Sequence, residues 1–329
     1  MLYSFLLAIF MFLFIFVYFI KLFLFKFPKK FHFPGSHVLI TGGSSGIGRS
    51  LAEQAFKLGA NVTLLARDVE KLAETQKYLL EHSKTNKKNT VQYFSVDISR
   101  NYDEVNDIIK QAESKLGPVD VLINSAGFSV AGSLEDLHVD QFKKLMDLNY
   151  LGSVHCTKAV IGQMKARRRG RIVLISSQAG QVGLYGYSAY SGSKFALRGF
   201  AESLQMEVLP YNVHVCLAFP PDTKTPGYDE EMKNKPLETK LISESSGLHD
   251  SSDVAKKIIQ GIVDGTFSIY IGLEGFFMNH LTAGFSPTTN LTDTFIQVFS
   301  MGLLRMVSVI YLSTFNKIVR NCAVNKKLL

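Results

Sequence analysis

The sequence is poor in cysteine and lacks any metal-binding pattern, which excludes several classes of protein. Its 329 residues include three cysteines, Cys156, Cys216 and Cys322, too far apart to form a disulfide framework or a zinc site. Cys156 and Cys216 lie in apolar runs and are interpreted as small buried side chains. No internal repeat or low-complexity tract is present, which excludes a solenoid and a disordered linker protein.

Positive charge is in excess, but it does not form a nucleic-acid-binding pattern. The formal net charge is +8, and many of the cations flank apolar segments at the two ends of the chain. They are Lys21, Lys26, Lys29, Lys30, Lys317, Arg320, Lys326 and Lys327. This distribution is typical of membrane flanks, and no aromatic–basic recognition motif accompanies it. We therefore predict a lipid bilayer as a partner and no nucleic acid.

The apolar N-terminal segment lacks the positively charged start of a signal peptide. Residues 2–20 carry no charge, and residues 22–25 extend the apolar run past Lys21. No small-residue cleavage site closes the segment either. Its length is about enough to cross a bilayer of roughly 30 Å. Residues 1–25 are therefore predicted to be an uncleaved transmembrane anchor with Met1 in the lumen, and residues 26–36 a linker in the cytosol.

The C-terminal region, residues 273–329, is predicted to be membrane-associated. Residues 295–315 are apolar except for Gln297, Arg305 and a few hydroxyl residues. A charge at mid-membrane costs about 2.5–3.5 kcal/mol, so this segment either spans the bilayer or lies in its interface, and the interface is preferred. Residues 326–329 resemble a dilysine signal, which is read in the cytosol. We therefore predict the endoplasmic reticulum membrane, with the main domain facing the cytosol.

Strand and helix patterns alternate through the middle of the chain. Predicted strands cover residues 37–40, 62–66, 91–96, 119–123, 171–176 and 213–218. Helical periodicity separates most of them. This alternation predicts the α/β class, with a Rossmann-type doubly wound parallel sheet covered by helices on both faces. Ligands bind beyond the carboxyl ends of the strands in such sheets.

A glycine-rich turn at residues 41–48 follows the first predicted strand and opens a helix. Gly42, Gly46 and Gly48 supply the tight turn, the close backbone approach and the helix N-terminus that a pyrophosphate needs. Their spacing differs from the common Gly-x-Gly-x-x-Gly fingerprint. The strand–turn–helix context nevertheless favours dinucleotide binding over a purely structural turn.

The end of the second predicted strand indicates which dinucleotide binds. An NAD enzyme places an acid there against the ribose 2′-hydroxyl, whereas this strand runs into Arg67. A guanidinium can pair with a 2′-phosphate, so we predict NADPH. Lys71 is either a second cation for this phosphate or part of a solvated helix face, and the sequence leaves both interpretations open.

Tyr190 and Lys194 are four residues apart, which is about one turn of a helix. A nearby ammonium stabilises a phenolate, so we expect the pKa of Tyr190 to be lowered and its hydroxyl to donate a proton to a ketone oxygen as hydride arrives. Ser177 follows a predicted strand thirteen residues upstream of Tyr190. Its hydroxyl can orient a carbonyl and stabilise developing negative charge.

Together, these residues resemble the short-chain dehydrogenase/reductase family over about residues 37–272, the predicted catalytic domain. The resemblance implies catalytic roles for Ser177, Tyr190, Lys194 and Asn149, the last of which would hold a water in a proton relay with Lys194. The cofactor-binding residues implied in addition to Arg67 and Lys71 are Gly42, Ser44, Ser45, Gly46, Ile47, Gly48, Asp97, Asn124, Ala126, Gly127, Tyr190 and Lys194. Asp97 would contact the adenine ring, and no metal is implied.

Residues 220–227 depart from the usual family pattern and suggest the substrate. They resemble a membrane-bound subgroup that reduces a long-chain sphingoid amino ketone, 3-ketosphinganine. A membrane-anchored steroid or retinoid dehydrogenase is the alternative, and intact Ser177, Tyr190 and Lys194 disfavour a scaffold without activity. Homo-oligomerisation is left open.

The polar stretch of residues 221–250 is longer than a typical connection and is expected to be a lid or a disordered loop. Within it, Asp222 is the candidate for attracting a substrate amino group. The other acids, Asp229, Glu230 and Glu231, are interpreted as solvated.

Overall fold

Apolar runs form the strands of the sheet, and amphipathic segments form the helices around it. The computed structural model describes residues 2–24, 28–82, 89–244 and 247–327. The strands are β1 His37–Thr41, β2 Asn61–Ala66, β3 Val91–Ser95, β4 Val121–Asn124, β5 Gly170–Ile175, β6 Val213–Phe219, β7 Thr223–Lys224, β8 His249–Asp250 and β9 Ser268–Tyr270. The helices are α1 Leu2–Leu24, α2 Gly46–Lys57, α3 Val69–His82, α4 Tyr102–Leu116, α5 Val139–Leu145, α6 Gly152–Arg167, α7 Ser188–Val208, α8 Pro226–Asn234, α9 Leu237–Ser243, α10 Ser251–Asp264, α11 Gly272–Leu281 and α12 Leu291–Lys327.

Seven strands form one parallel sheet in the order β3-β2-β1-β4-β5-β6-β9. The order reverses between β1 and β4, which creates the crevice where ligands bind in open α/β sheets. The predicted Rossmann-type parallel sheet is therefore confirmed. The seventh strand, β9, was not predicted because three residues are too few to show a strand periodicity.

Helices cover both faces of the sheet, as predicted. Val38 and Ile40 of β1 pack in an apolar cluster with residues of α2 and α10. Leu39, which lies between them, points to the opposite face and packs in a second cluster with residues of α4, α6 and α7. Cys156 and Cys216 are fully buried, which confirms their interpretation as small core side chains.

The polar stretch of residues 221–250 is folded over most of its length, so the expectation of a disordered loop is wrong for its described residues. It contains β7, α8, α9 and β8, and β7 pairs with β8 in a separate two-stranded sheet. Thr225 caps α8 by accepting the N–H of Tyr228 at 3.1 Å, and Pro226 occupies the first turn. Residues 245–246 lie outside the described part.

The two ends of the chain form helices that contact each other. The rings of Phe10 and Phe14 in α1 pack against Phe295 in α12, with centroids 5.4 and 5.1 Å apart. Within the described residues, Leu291–Val324 is the one helical segment long and apolar enough to cross a membrane. The described apolar part of α1, Tyr3–Phe16, is shorter than such a span, so the N-terminal anchor stays a prediction. Residues 25–27 and the last two residues of the dilysine-like sequence lie outside the described part.

Candidate active site

A cavity of about 680 Å³ opens beyond the carboxyl ends of β1, β4, β5 and β6. Its volume is in the range of small-molecule sites, and its position at the reversal of strand order is where such sites lie. The predicted site residues that line it are Gly42, Ser45, Gly46, Ile47, Gly48, Ala126, Gly127, Ser177, Tyr190 and Lys194. Those that do not line it are Ser44, Arg67, Lys71, Asp97, Asn124 and Asn149.

The glycine turn leaves no room for a side chain at Gly42 or Gly48. A Cβ on Gly48 would lie 2.2 Å from the carbonyl oxygen of Gly42, and Gly42 itself has a φ of +66°. A Cβ on Gly42 would lie 2.9 Å from Cα of Ala126. Ser45 precedes α2 without making a side-chain capping hydrogen bond in the described structure, so N–H groups of the first turn remain available. This cradle fits a dinucleotide pyrophosphate.

The end of β4 is fastened to the glycine turn by Thr41. Its hydroxyl oxygen accepts the N–H groups of Ser125 and Ala126 at 3.1 and 3.0 Å. The neighbouring Asn124 is buried in the sheet and donates to the Thr157 hydroxyl at 3.2 Å. The side-chain amide oxygen of Asn124 has no hydrogen-bond partner among the described residues. Asn124 thus supports the floor of the site from behind, and its contact with the cofactor stays a prediction.

Asn149 lies in a short π-helix, residues 146–151, between α5 and α6, and is almost completely buried. Its side chain accepts the N–H of Phe128 and donates to the carbonyl of Phe128, both at 3.0 Å, and it also donates to the Ser193 hydroxyl at 2.9 Å. A Cβ on Gly127 would lie 2.9 Å from the carboxamide oxygen of Asn149 and 3.5 Å from Lys194 Nζ. Asn149 therefore holds the cavity wall in place beside Lys194, and its predicted water-holding role stays a prediction.

Two predicted cofactor residues, Arg67 and Asp97, follow the ends of β2 and β3, and a third, Lys71, lies in the first turn of α3. Arg67 is exposed, and among the described residues no salt bridge holds its guanidinium. Lys71 is also exposed and is paired with Asp68 at 3.2 Å, which agrees with its interpretation as part of a solvated helix face. Asp97 accepts hydrogen bonds from the Ser99 hydroxyl and N–H. These bonds, together with the positive charge of Arg67, lower its pKa although burial acts in the opposite direction.

Tyr190, Lys194 and Ser177 meet at the carboxyl end of β5. Ser177 and Tyr190 line the same cavity, and Lys194 Nζ lies 5.8 Å from the centre of the Tyr190 ring while donating to the Ile175 carbonyl at 2.8 Å. The orientation of Lys194 is fixed because it is buried and bonded to the end of the strand.

The expected lowering of the Tyr190 pKa is wrong for the protein by itself. Burial raises the pKa of Tyr190 above its ordinary value, and the nearby Ser177 hydroxyl opposes this increase without reversing it. Burial also lowers the pKa of Lys194, to about 8. Tyr190 therefore carries its proton at neutral pH, which is the state required of a proton donor.

A buried ionic network, which sequence reasoning missed, lines the cavity beside Tyr190. Lys235 Nζ lies 3.1 Å from Asp222 and 3.2 Å from Glu231, and the Lys235 side chain is fully buried. Glu231 also accepts hydrogen bonds from the hydroxyls of Tyr187 and Ser129. Its side chain is 8% exposed, so its interpretation as a solvated acid is wrong. The available sequence signals were weak: a Glu-Lys pair four residues apart, and a second tyrosine three residues before Tyr190.

The far end of the cavity belongs to the C-terminal region and is mostly apolar, although Glu274, Arg305 and Ser308 also line it. Phe277 and Leu281 of α11 and Leu304, Tyr311 and Phe315 of α12 line the same cavity as Tyr190. The space thus extends from the glycine turn, past Tyr190, to α11 and α12. It can hold a dinucleotide at one end and an apolar chain at the other.

A family model and several known proteins match this chain. The family model described as short chain dehydrogenase matches residues 36–236. The 3-dehydrosphinganine reductase of Danio rerio is 51% identical over 300 residues, which cover 91% of this chain and 90% of that protein. The 3-ketodihydrosphingosine reductase of Mus musculus is 52% identical over 299 residues, with the same coverage. A 3-dehydrosphinganine reductase of Arabidopsis thaliana is 41% identical over 278 residues, covering 84% of this chain and 81% of that protein.

Solved structures share the fold. A short chain dehydrogenase/reductase family protein superimposes with a TM-score of 0.62 and 25% identity, covering 73% of this chain and 97% of that one. A short-chain dehydrogenase from Sphingobium yanoikuyae in complex with NADPH gives a TM-score of 0.62 at 22% identity, covering 71% of this chain and 87% of that one.

Proposed function

Since the chain belongs to the short-chain dehydrogenase family and is an oxidoreductase that uses a nicotinamide cofactor, we propose that it reduces 3-ketosphinganine to sphinganine with NADPH. This reaction is a step in sphingolipid synthesis. The observation that carries the proposal is the identity of 51–52% with animal 3-ketosphinganine reductases along nine tenths of the chain. The cavity supports this proposal. Tyr190, the carboxylates of Asp222 and Glu231, and the apolar side chains of α11 and α12 line one space, which suits the ketone, the amine and the long chain of the substrate.

Ser177, Tyr190 and Lys194 have different roles in ketone reduction. Ser177 donates a hydrogen bond to the ketone oxygen and aligns it with the Tyr190 hydroxyl, which lines the same cavity. When bound, the cofactor supplies the hydride to the carbonyl carbon. Tyr190 gives its proton to the oxygen as negative charge develops there. Lys194 stands behind the ring of Tyr190, where its positive charge stabilises the phenolate that remains.

The preference for NADPH rests on Arg67. Its exposed guanidinium lies at the end of β2, where the adenosine ribose binds in this fold, and a planar cation there suits a 2′-phosphate. Lys71 makes at most a secondary contribution because Asp68 partly neutralises it.

The decisive experiment is a reductase assay on membranes that contain the full chain. We expect NADPH-dependent formation of sphinganine from 3-ketosphinganine, and loss of this activity in Tyr190→Phe. Reduction of a steroid ketone or retinal at a higher kcat/KM than 3-ketosphinganine would favour the alternative substrate class. Full activity of Tyr190→Phe would contradict the assigned chemistry.

The membrane arrangement is a further part of the proposal. Residues 1–25 form the anchor, residues 26–36 the linker, residues 37–272 the catalytic domain on the cytosolic side of the endoplasmic reticulum, and residues 273–329 the C-terminal membrane region. We place α12 in the interface because Leu304, Tyr311 and Phe315, in its middle, line the catalytic cavity and must stay beside that domain.

Protease protection of microsomes tests this topology. A tag after residue 329 should be cleaved from the cytosolic side if α12 does not cross, and protected if it crosses once. A tag before Met1 should be protected if residues 1–25 span the bilayer.

A further inference from the structure

The network of Asp222, Lys235 and Glu231, named the acidic triad here, has an uncompensated charge. Two carboxylates share one ammonium, at 3.1 and 3.2 Å from its nitrogen. With its carboxyl groups ionised, the triad carries a net charge of −1. Burial, with a contribution from Glu231, raises the pKa of Asp222 despite the opposing effect of Lys235. A second cation in the cavity would therefore be stabilised.

The acidic triad lies close to the reacting group. The hydroxyl of Tyr187 donates to Glu231, and the rings of Tyr187 and Tyr190 are 5.4 Å apart between centroids. Asp222, Glu231, Tyr187 and Tyr190 all line the one cavity. Both carboxylates add to the burial effect that raises the pKa of Tyr190, so their field reaches the proton-donating hydroxyl.

A second observation points to a polar group on the ligand. Gln181 lines the same cavity and is 6% exposed, and its carboxamide oxygen has no hydrogen-bond partner among the described residues. A buried acceptor without a donor is costly, by about 1–3 kcal/mol, unless a ligand or water satisfies it. The cavity is thus suited to a ligand that carries hydrogen-bond donors beside its apolar chain.

We propose that the acidic triad is the specificity-determining element that recognises a protonated amine on the carbon next to the reacting ketone. This inference rests on the proposed function and deepens it. In an α-amino ketone the ammonium is attached to the atom adjacent to the carbonyl carbon, so it lies within a few ångströms of the oxygen held by Ser177 and Tyr190. Glu231 accepts from this ammonium, and Asp222 remains with Lys235.

The same arrangement discriminates against neutral ketones. An uncharged substrate leaves the net negative charge of the triad uncompensated in a partly desolvated cavity, which weakens its transition-state binding relative to the amino ketone. It also leaves that charge near the oxygen on which negative charge develops. An ammonium cancels this unfavourable field.

The test compares two substrates across three variants of the full chain. The substrates are 3-ketosphinganine and the ketone of equal chain length with hydrogen in place of the amino group. In Glu231→Gln, the ratio of kcat/KM for the amino ketone to that for the neutral ketone should fall by about tenfold or more. Lys235 keeps Asp222 as its partner in this variant, so the fold of the region is retained. Asp222→Asn should also lower this ratio of kcat/KM values.

Glu230→Gln is the matched control. Glu230 is the adjacent acid, exposed and paired with Lys233, and its neutralisation should leave the ratio within about twofold of wild type. A ratio unchanged in Glu231→Gln and Asp222→Asn, with both substrates slowed equally, would overturn the inference. That outcome is distinct from failure of the proposed function, in which the wild type reduces neither long-chain ketone.

Discussion

Backbone atoms form the proposed cofactor side of the cavity, whereas side chains from distant segments form its proposed substrate side. On the first side, the absence of Cβ atoms at Gly42 and Gly48 makes the cradle, and the turn lies within one short stretch of sequence. On the second side, Ser129, Tyr187 and the stretch that carries Asp222, Glu231 and Lys235 come from three separate segments. The hydroxyls of Ser129 and Tyr187 and the ammonium of Lys235 all contact Glu231. A side made of backbone is recognisable from a short motif, but a side made of convergent side chains is not.

The largest effect is expected from a substitution of Tyr190, the proposed proton donor on the substrate side. Tyr190→Phe should lower kcat by about 10²–10⁴-fold, because proton donation is lost. Tyr187→Phe, on a ring in the same cavity, should cost much less in kcat because its hydroxyl serves Glu231 and not the ketone. Stopped-flow single-turnover rates measure both. Equal losses in the two variants would contradict the division of roles.

The cofactor side is tested by adding one methyl group. Gly48→Ala should weaken NADPH binding on the order of 100-fold, because the new Cβ meets the Gly42 carbonyl 2.2 Å away and displaces the turn. Gly162→Ala, in α6, is the control because no heavy atom lies within 4 Å of its added Cβ. Quenching or enhancement of NADPH fluorescence gives both dissociation constants. Unchanged NADPH affinity in Gly48→Ala would show that the cofactor side does not depend on the absence of a Cβ at Gly48.

A smaller effect is expected where the cofactor side depends on a side chain. Arg67→Asp should shift the kcat/KM ratio of NADPH to NADH by about tenfold or more toward NADH, because a charge-assisted bond to the 2′-phosphate is replaced by repulsion. Lys71→Ala should change this ratio less than about twofold if Lys71 belongs to the solvated face of α3. A larger change in Lys71→Ala would mean that Lys71 contacts the 2′-phosphate. An unchanged ratio in Arg67→Asp would mean that Arg67 does not contact it.

The smallest effect concerns the pH dependence of stability. Burial lowers the pKa of Lys194 to about 8, below its ordinary value, so the unfolded chain binds more protons than the folded one as the pH rises through 8. The contribution of Lys194 to the free energy of unfolding therefore increases from pH 8 toward its unfolded pKa.

Lys194→Met removes this contribution and provides the comparison. Between pH 8 and pH 9, the Tm of the wild type should rise relative to that of Lys194→Met by a few degrees. Thermal unfolding of the full chain in detergent measures the difference. A parallel pH response of the two proteins would mean that Lys194 is not held in the desolvated position described here.

Much of the fold was predictable, because strand and helix periodicity and the glycine turn are local patterns. The first six strands of the sheet agree with the prediction within a few residues, while β9 was missed for lack of length. The site was predictable in part. Tyr190 and Lys194 lie on one helix face, and Ser177 ends a recognisable strand. The pKa of Tyr190 was predicted with the wrong sign, because its burial depends on residues far away in the sequence.

The parallel sheet, the dinucleotide cradle and the chemistry of ketone reduction could be predicted from the sequence, because each depends on residues only a few positions apart or on one strand and the helix after it. The burial of Glu231, its link to Asp222 through Lys235, and the position of α12 at the far end of the cavity follow only from the tertiary packing. Charge pairing and burial depend on distances in space, and those distances are fixed only when separate segments pack together.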